Sequence, residues 1–277
     1  MLERLTEPLH LNAMAGLVYA FGSFRTKVAF DLILRHHHAY GILSAADQAK
    51  EMGKNRLTLL EFGVAGGTGI LNMAQVAAQV TRATGVEFDI YGFDSGQGLP
   101  PPRSFRDHPE LWQAGDFVMD VPRLQRELPS NVTLVLGEIS ETVPGWLASF
   151  DGTAPIGFVS LDLDYHYSTR DAVQVFNGPA ESYLPRTCVY LDDIEHPSHN
   201  SYCGELLAIN EFNDEQQLRK IEKHPFLQKS RIFQRAPWID HIYTLHVLDH
   251  SSRSTLDQGR SAQKLLNPYL PRAATRS

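Results

Sequence analysis

Two short apolar runs in this chain each end in a pair of acids. Residues 156–164 read Ile-Gly-Phe-Val-Ser-Leu-Asp-Leu-Asp, and residues 187–193 read Thr-Cys-Val-Tyr-Leu-Asp-Asp. Any one Asp at a strand end is accounted for by turn formation or capping. Two pairs at the ends of consecutive expected strands are harder to account for that way. Carboxylates gathered at one point repel one another unless a cation neutralises them or one keeps its proton. An all-oxygen donor set of modest size suits Mg²⁺, with Mn²⁺ or Ca²⁺ as substitutes. Asp162, Asp192 and Asp193 are the expected metal ligands. Asp162 is preferred within its pair because it lies closer to the strand, leaving Asp164 behind it or at a helix start with Ser168 and Thr169.

A third apolar run, 57–62, ends in an acid and drops into glycines: Leu-Thr-Leu-Leu-Glu-Phe-Gly-Val-Ala-Gly-Gly-Thr-Gly over 57–69. A phosphate-binding loop needs Gly-x4-Gly-Lys-Ser/Thr, and no lysine stands here. The dinucleotide spacing Gly-x-Gly-x-x-Gly fails as well, which makes an NAD-dependent oxidoreductase a poor fit. An acid two residues ahead of Gly63, followed by Gly66, Gly67 and Gly69, matches the S-adenosylmethionine turn of class I methyltransferases. Its alternative is a tight strand–helix turn with no ligand. Some thirty residues on, Tyr-Gly-Phe-Asp-Ser-Gly-Gln-Gly-Leu (91–99) ends a second strand in Asp94. An acid at that place accepts from ribose hydroxyls, and it also suits a helix N-cap. Glu138 and Ile139, after the third strand, stand where an adenine would lie. The expected cofactor contacts are therefore Glu61, Gly63, Val64, Ala65, Gly67, Asp94, Ser95, Glu138, Ile139 and Asp162.

The elements that must position these residues alternate. Strands are expected at 57–62, 87–93, 132–136, 156–163, 187–192, 230–235 and 241–248. Helices are expected at 70–83, 121–128, 168–176 and 204–221. This order implies an α/β, doubly wound, Rossmann-like fold: a mostly parallel seven-stranded sheet with an antiparallel edge strand, plus N-terminal helices. The domain reading is a helical extension at 1–55, broken near Gly41 and serving as cap or dimer surface; a methyltransferase domain at 56–250; and a polar tail at 251–277. The segment 97–116, rich in Gly, Pro and Asp, reads as a binding loop or lid. Within it and just beyond, Phe105, Trp112 and Phe117 are expected either to stack on a substrate ring or to pack in the core.

Composition narrows the partners. The 277 residues carry a formal net charge of −7, which argues against nucleic acid or an anionic membrane as the main partner. Residues 11–24 are apolar but too short to span a bilayer, and no basic segment precedes them. Two cysteines, Cys188 and Cys203, support neither a disulfide framework nor a cysteine-rich metal site. A cytoplasmic protein with reduced thiols, acting as a homodimer on a small molecule, is the expectation. His36-His37-His38 cannot all face one ion from a helix and is read as a polar or substrate-facing patch. His196 and His199 are candidates for the acceptor pocket.

Taken in order, five blocks resemble a known family: Glu-Phe-Gly-Val-Ala-Gly-Gly (61–67), Gly-Phe-Asp-Ser-Gly-Gln-Gly-Leu-Pro (92–100), Gly-Glu-Ile-Ser-Glu-Thr-Val-Pro (137–144), Asp-Leu-Asp-Tyr-His-Tyr-Ser-Thr-Arg-Asp-Ala (162–172) and Leu-Asp-Asp (191–193). Over roughly 57–215 the chain resembles the macrocin/mycinamicin sugar O-methyltransferases, a Mg²⁺-dependent branch of the class I methyltransferases. The resemblance implies metal ligation by Asp162, Asp192 and Asp193, and S-adenosylmethionine binding by Glu61, Gly63 and Asp94. This chain departs from the family's Asp-Gly-Asp at Leu163 and from its usual Tyr at His166. Residues 195–203 do not resemble the macrolide enzymes, so the core chemistry transfers more safely than the substrate.

The implied reaction is methyl transfer to a hydroxyl of a small polyhydroxylated or glycosylated molecule, or to a phenolic one. A cation lowers the hydroxyl pKa and a base takes the proton. Catechol-type relatives use a lysine three residues after the first metal-binding Asp; Tyr165 stands there, so Asp162 and His166 are the candidate catalytic groups. Two alternatives are a metal-independent methyltransferase and an inactive protein that binds S-adenosylmethionine without turnover.

Overall fold

The computed structural model describes residues 7–254. A seven-stranded sheet runs in the order β3-β2-β1-β4-β5-β7-β6. The strands are β1 (Arg56–Phe62), β2 (Glu87–Asp94), β3 (Val132–Leu136), β4 (Ile156–Leu161), β5 (Tyr183–Leu191), β6 (Arg219–Lys223) and β7 (Ile242–Val247). Pairings from β3 through β5 are parallel, while β7 runs antiparallel to both β5 and β6. The mostly parallel, Rossmann-like sheet with an antiparallel edge is therefore the observed architecture. Every residue of β4 is buried, as a central parallel strand covered on both faces requires.

Helices cover the faces. They include α1 (Leu9–Phe21), α2 (Phe24–Ala29), α3 (His36–Glu51), α4 (Thr68–Thr84), α5 (Val121–Glu127), α6 (Ile139–Ser149), α7 (His166–Ala172) and α8 (Gly204–Glu215). One apolar core lies between α3, α4 and one sheet face, and holds Ile42, Ala46, Leu57, Ile70 and Phe158. A second core on the other face holds Leu60, Phe93, Val159, Phe176 and Phe212.

Four differences from the sequence reading have physical causes. The break expected near Gly41 is absent, because α3 runs through it; a Cβ at Gly41 would lie 2.4 Å from the Phe158 ring, so the glycine lets the helix lie close on β4. The strand expected at 230–235 is instead the end of a short helical turn, Leu227–Ser230, and irregular chain. The sixth strand lies at 219–223, overlapping the end of the stretch read as helix, because Arg-Lys-Ile-Glu-Lys has no apolar run and Ile221 alone supplies a hydrophobic anchor to this edge strand. Helix α6 was not anticipated: Pro144 and Gly145 suggest a loop, yet Val143 is fully buried and Trp146 packs edge-on against Tyr91 and Phe93.

The chain lengths at either end differ in how they attach. Helix α3 is part of the main core. Helix α1 buries only Ala15 and leaves Leu9, Met14, Leu17, Tyr19 and Phe21 exposed. Of the polar tail read at 251–277, residues from 255 lie outside the described residues. No helix among the described residues is long and apolar enough to cross a membrane.

Candidate active site

The order of the sheet reverses between β1 and β4, and crevices at such a switch point are where open α/β sheets take ligands. Three ladder bonds align the strand ends there. Gly63 N donates to Phe93 O (2.9 Å), Asp162 N to Phe62 O (3.0 Å) and Asp192 N to Leu161 O (3.0 Å). This register brings the glycine turn, Asp94 and both acid pairs to one edge. Gly63 has φ +83°, and a Cβ there would lie 1.7 Å from Asp162 O, so only glycine allows the β1 and β4 ends to meet.

A cavity of about 300 Å³ opens at this edge. Seven of the ten expected cofactor contacts line it: Gly63, Ala65, Asp94, Ser95, Glu138, Ile139 and Asp162. Asp192 and Asp193 line it too, and so does Asp164. Leu99, Pro100 and Trp112, from the segment read as a binding loop, and Phe117 just beyond it close one wall, while Phe105 points to solvent. Among the described residues, six non-glycine residues have positive φ, and three of them, Ala65, Phe117 and Asp164, line this cavity. Left-handed conformations of that kind are unfavourable and collect where a site is built.

Asp94 is held by backbone amides. Its Oδ2 accepts from Val64 N and Ala65 N (2.9 Å each), and its Oδ1 accepts from Gly96 N (2.6 Å). It therefore ties the glycine turn to the β2 end and caps no helix. Carboxylate oxygens accept more than one bond, so capacity remains for a ribose.

The other end of the cavity is carboxylate-rich. One oxygen each from Asp162, Asp192 and Asp193 lie within 4.8 Å of one another. Burial first, then Asp192 and Asp193, hold Asp162 well above the usual carboxylate range. Burial and Asp192 push Asp193 up to about 6. Burial, Asp193 and Asp192 push Asp164 up to about 8. Among the described residues, no Lys, Arg or His lines the cavity. An all-oxygen donor set of this charge, without a protein cation among its walls, fits a hard divalent cation.

Asp164 neither caps α7 nor stands apart from the cluster. Its N–H donates to Asp193 Oδ2 (3.0 Å), φ is +58°, and the cap position is Tyr165. Tyr190 donates from its hydroxyl to Asp192 Oδ1 (2.6 Å). Glu205 went unseen in the sequence. Fully buried in the first turn of α8, it accepts from Leu163 N (3.4 Å) and Asp193 N (3.1 Å), joining the two acid-bearing turns. Acids are common in first helical turns, so its position carried no distinguishing signal.

Several expected residues lie off the cavity wall. Val64 packs in the core and Gly67 is the N-cap of α4. Glu61 is fully buried behind the turn, with Oε2 unpartnered; burial pushes its carboxyl up to about 8. His166 is buried with Nε2 2.7 Å from Glu211 Oε2, and His196 and His199 also stand outside the wall. Tyr165, in the catechol-type lysine position, is fully buried. The His36–His38 run is not substrate-facing. His37 stacks on Tyr190 at 3.8 Å, and His38 Nδ1 lies 3.0 Å from Asn72 Oδ1; burial pushes both imidazoles down, His38 to about 3.

No family model matches the sequence, and no curated protein matches it. Solved structures do. The calicheamicin methyltransferase CalS11 superposes with a TM-score of 0.52 at 17% identity, covering 86% of this chain and 91% of its own. The O-methyltransferase NovP gives 0.49 at 16% identity, covering 76% and 79%. At such identities the likeness is one of fold: this chain has the architecture of CalS11.

Proposed function

We propose that the protein is an S-adenosylmethionine-dependent O-methyltransferase, assisted by Mg²⁺, acting on a hydroxyl of a small polyhydroxylated or glycosylated molecule. The observation that carries this reading is the meeting of Asp162, Asp192 and Asp193 in the same cavity as the glycine turn and Asp94. The CalS11-like fold agrees with it.

In this reading Gly63, Ala65, Ser95, Glu138 and Ile139 contact the methyl donor, and Asp94 accepts from its ribose hydroxyls. Asp162, Asp192 and Asp193 would hold the metal. Bound there, Mg²⁺ would supply positive charge that lowers the acceptor hydroxyl pKa. Asp162, between the donor turn and the acid pair, receives the hydroxyl proton. His166 is left out of that role because Glu211 engages its ring away from the cavity. Leu99, Trp112 and Phe117 exclude water from the wall they form. Alignment of the methyl group with the oxygen supplies much of the acceleration. Self-association through the exposed side of α1 belongs to the same proposal, and light scattering that gives a monomer ends that part.

The test is calorimetry with S-adenosylhomocysteine, followed by methyl-transfer assays on a sugar and phenol panel with Mg²⁺ or chelator. Cofactor binding and chelator-sensitive turnover support the reading. Turnover untouched by chelator and by Asp192→Ala supports a metal-independent enzyme, and binding without any turnover supports an inactive binder.

A further inference from the structure

Beside one cavity-lining ring stands an arginine with no ion pair among the described residues. Arg103, in the loop that closes the wall, is exposed, and its guanidinium sits 3.7 Å from the centroid of the Tyr167 ring. Tyr167 itself lines the cavity. The backbone beneath Arg103 is fixed, since Arg103 N donates to the buried Asp107 carboxylate (2.8 Å), whose other oxygen accepts from Tyr167 N (3.4 Å). The side chain is thus anchored at its base and held over the ring. None of its side-chain N–H groups has a protein acceptor and no carboxylate pairs with it among the described residues, although the Asp171 carboxylate on the cavity wall is near enough to feel its charge. The neighbouring arginines differ: Arg106 pairs with Glu211 (3.6 Å) and Arg170 with Asp171 (3.8 Å).

A guanidinium stacked on an aromatic face keeps its donor edge free, and that edge matches the two oxygens of a phosphate or carboxylate. Among the described residues the cavity walls carry carboxylates and no cation, so an anionic ligand would find its favourable charge beside Tyr167, at Arg103. Resting on the proposed methyl transfer, the geometry points to an acceptor that carries an oxyanion, phosphate or carboxylate, bound by Arg103 while its sugar hydroxyl reaches Asp162. The acceptor class is then a sugar phosphate, a nucleotide-linked sugar or a sugar acid rather than a neutral glycoside.

The test uses the full chain with Mg²⁺ and calorimetric titration of four probes: S-adenosylhomocysteine, uridine diphosphate glucose, glucuronic acid and methyl β-glucoside. At least one charged probe is expected to bind, with the glucoside weaker by about tenfold or more, the loss of a charge-assisted hydrogen bond. Which charged probe binds separates phosphate from carboxylate. Arg103→Gln is expected to remove that preference and leave S-adenosylhomocysteine binding unchanged, with Arg103→Lys between them. Thermal melting verifies that both variants fold, as exposure of Arg103 implies. Three results overturn the inference: no charged probe binds, Arg103→Gln binds the charged probe as well as wild type, or Arg103→Gln loses S-adenosylhomocysteine in step, which would assign the guanidinium to the donor's own carboxylate. Wild-type chain that fails to bind S-adenosylhomocysteine overturns the methyltransferase reading instead.

Discussion

The two sides of the cavity are built on opposite terms. On the glycine-turn side, backbone N–H groups of Val64, Ala65 and Gly96 meet the Asp94 carboxylate. On the side formed by the β4 and β5 ends, Asp162, Asp164, Asp192 and Asp193 face one another, with Glu205 buried behind them. On the first side the chain itself supplies the donors to Asp94. The second gains fewer donors than it has charges, and burial and mutual repulsion lift three of its four cavity-lining acids above their ordinary range. A fold keeps such an arrangement when something outside the chain supplies the missing charge.

That contrast breaks most visibly at the metal side. Asp192→Ala and Asp162→Ala are each expected to lower methyl transfer by roughly 10²-fold or more, the scale of losing metal charge at the reacting oxygen. S-adenosylhomocysteine affinity should stay near wild type in Asp192→Ala. Comparable loss of both would show that the two sides are not separable.

The same contrast has a pH signature. The Glu61 and Asp164 carboxyls titrate near 8 in the fold, and Asp193 near 6, each above its ordinary value. Raised carboxyl pKa values mean that the folded state holds protons the unfolded chain releases, so stability is fully present below the unfolded values, near 4, and falls as pH rises to about 8. In chelator, the melting temperature should decline between about pH 6.5 and 8, above the range in which the buried His37 and His38 imidazoles, held low, pull the other way. Mg²⁺ should restore it increasingly toward pH 8, where the carboxylates are ionised. A flat profile without metal would count against the crowded-acid description.

Asp94→Asn is the corresponding change on the backbone-built side. It keeps the shape and removes the charge that three N–H donors and a ribose would share. S-adenosylhomocysteine binding should weaken by about tenfold, the scale of one hydrogen bond to a charged group. Mg²⁺ affinity should not move, and a parallel fall in it would blur the division between the sides.

How much of this was legible depended on whether a residue's role was local. Strand-ending acids and glycines announce themselves by type and spacing, so the sheet, the turn and the acid pairs were readable. Residues defined by distant partners were not. Glu205 matters because Leu163 and Asp193 lie over it, 42 and 12 residues away in sequence. His37 and His38 look like a surface patch until α3 lies on β4 and β5 and buries them. β6 was misread because an edge strand with one buried aliphatic residue lacks a periodic signal, and α6 because Pro144 hides a helix held by tertiary packing.

The smallest expected effect tests how far the acid side is steadied from behind. Tyr190 donates to Asp192 Oδ1, and His37 stacks on its ring at 3.8 Å with the planes 7° apart. A hydroxyl fixed in this way orients the carboxylate without touching the cavity. Tyr190→Phe keeps the ring and its stack and removes one hydrogen bond, so Mg²⁺ affinity should fall by about fivefold to tenfold. Donor binding should be unchanged, because Asp94 and the glycine turn take no support from Tyr190. Saturating Mg²⁺ should then recover most of the turnover, which a loosened fold would not allow. An unchanged Mg²⁺ affinity would place the orientation of Asp192 in the backbone of the β5 end alone.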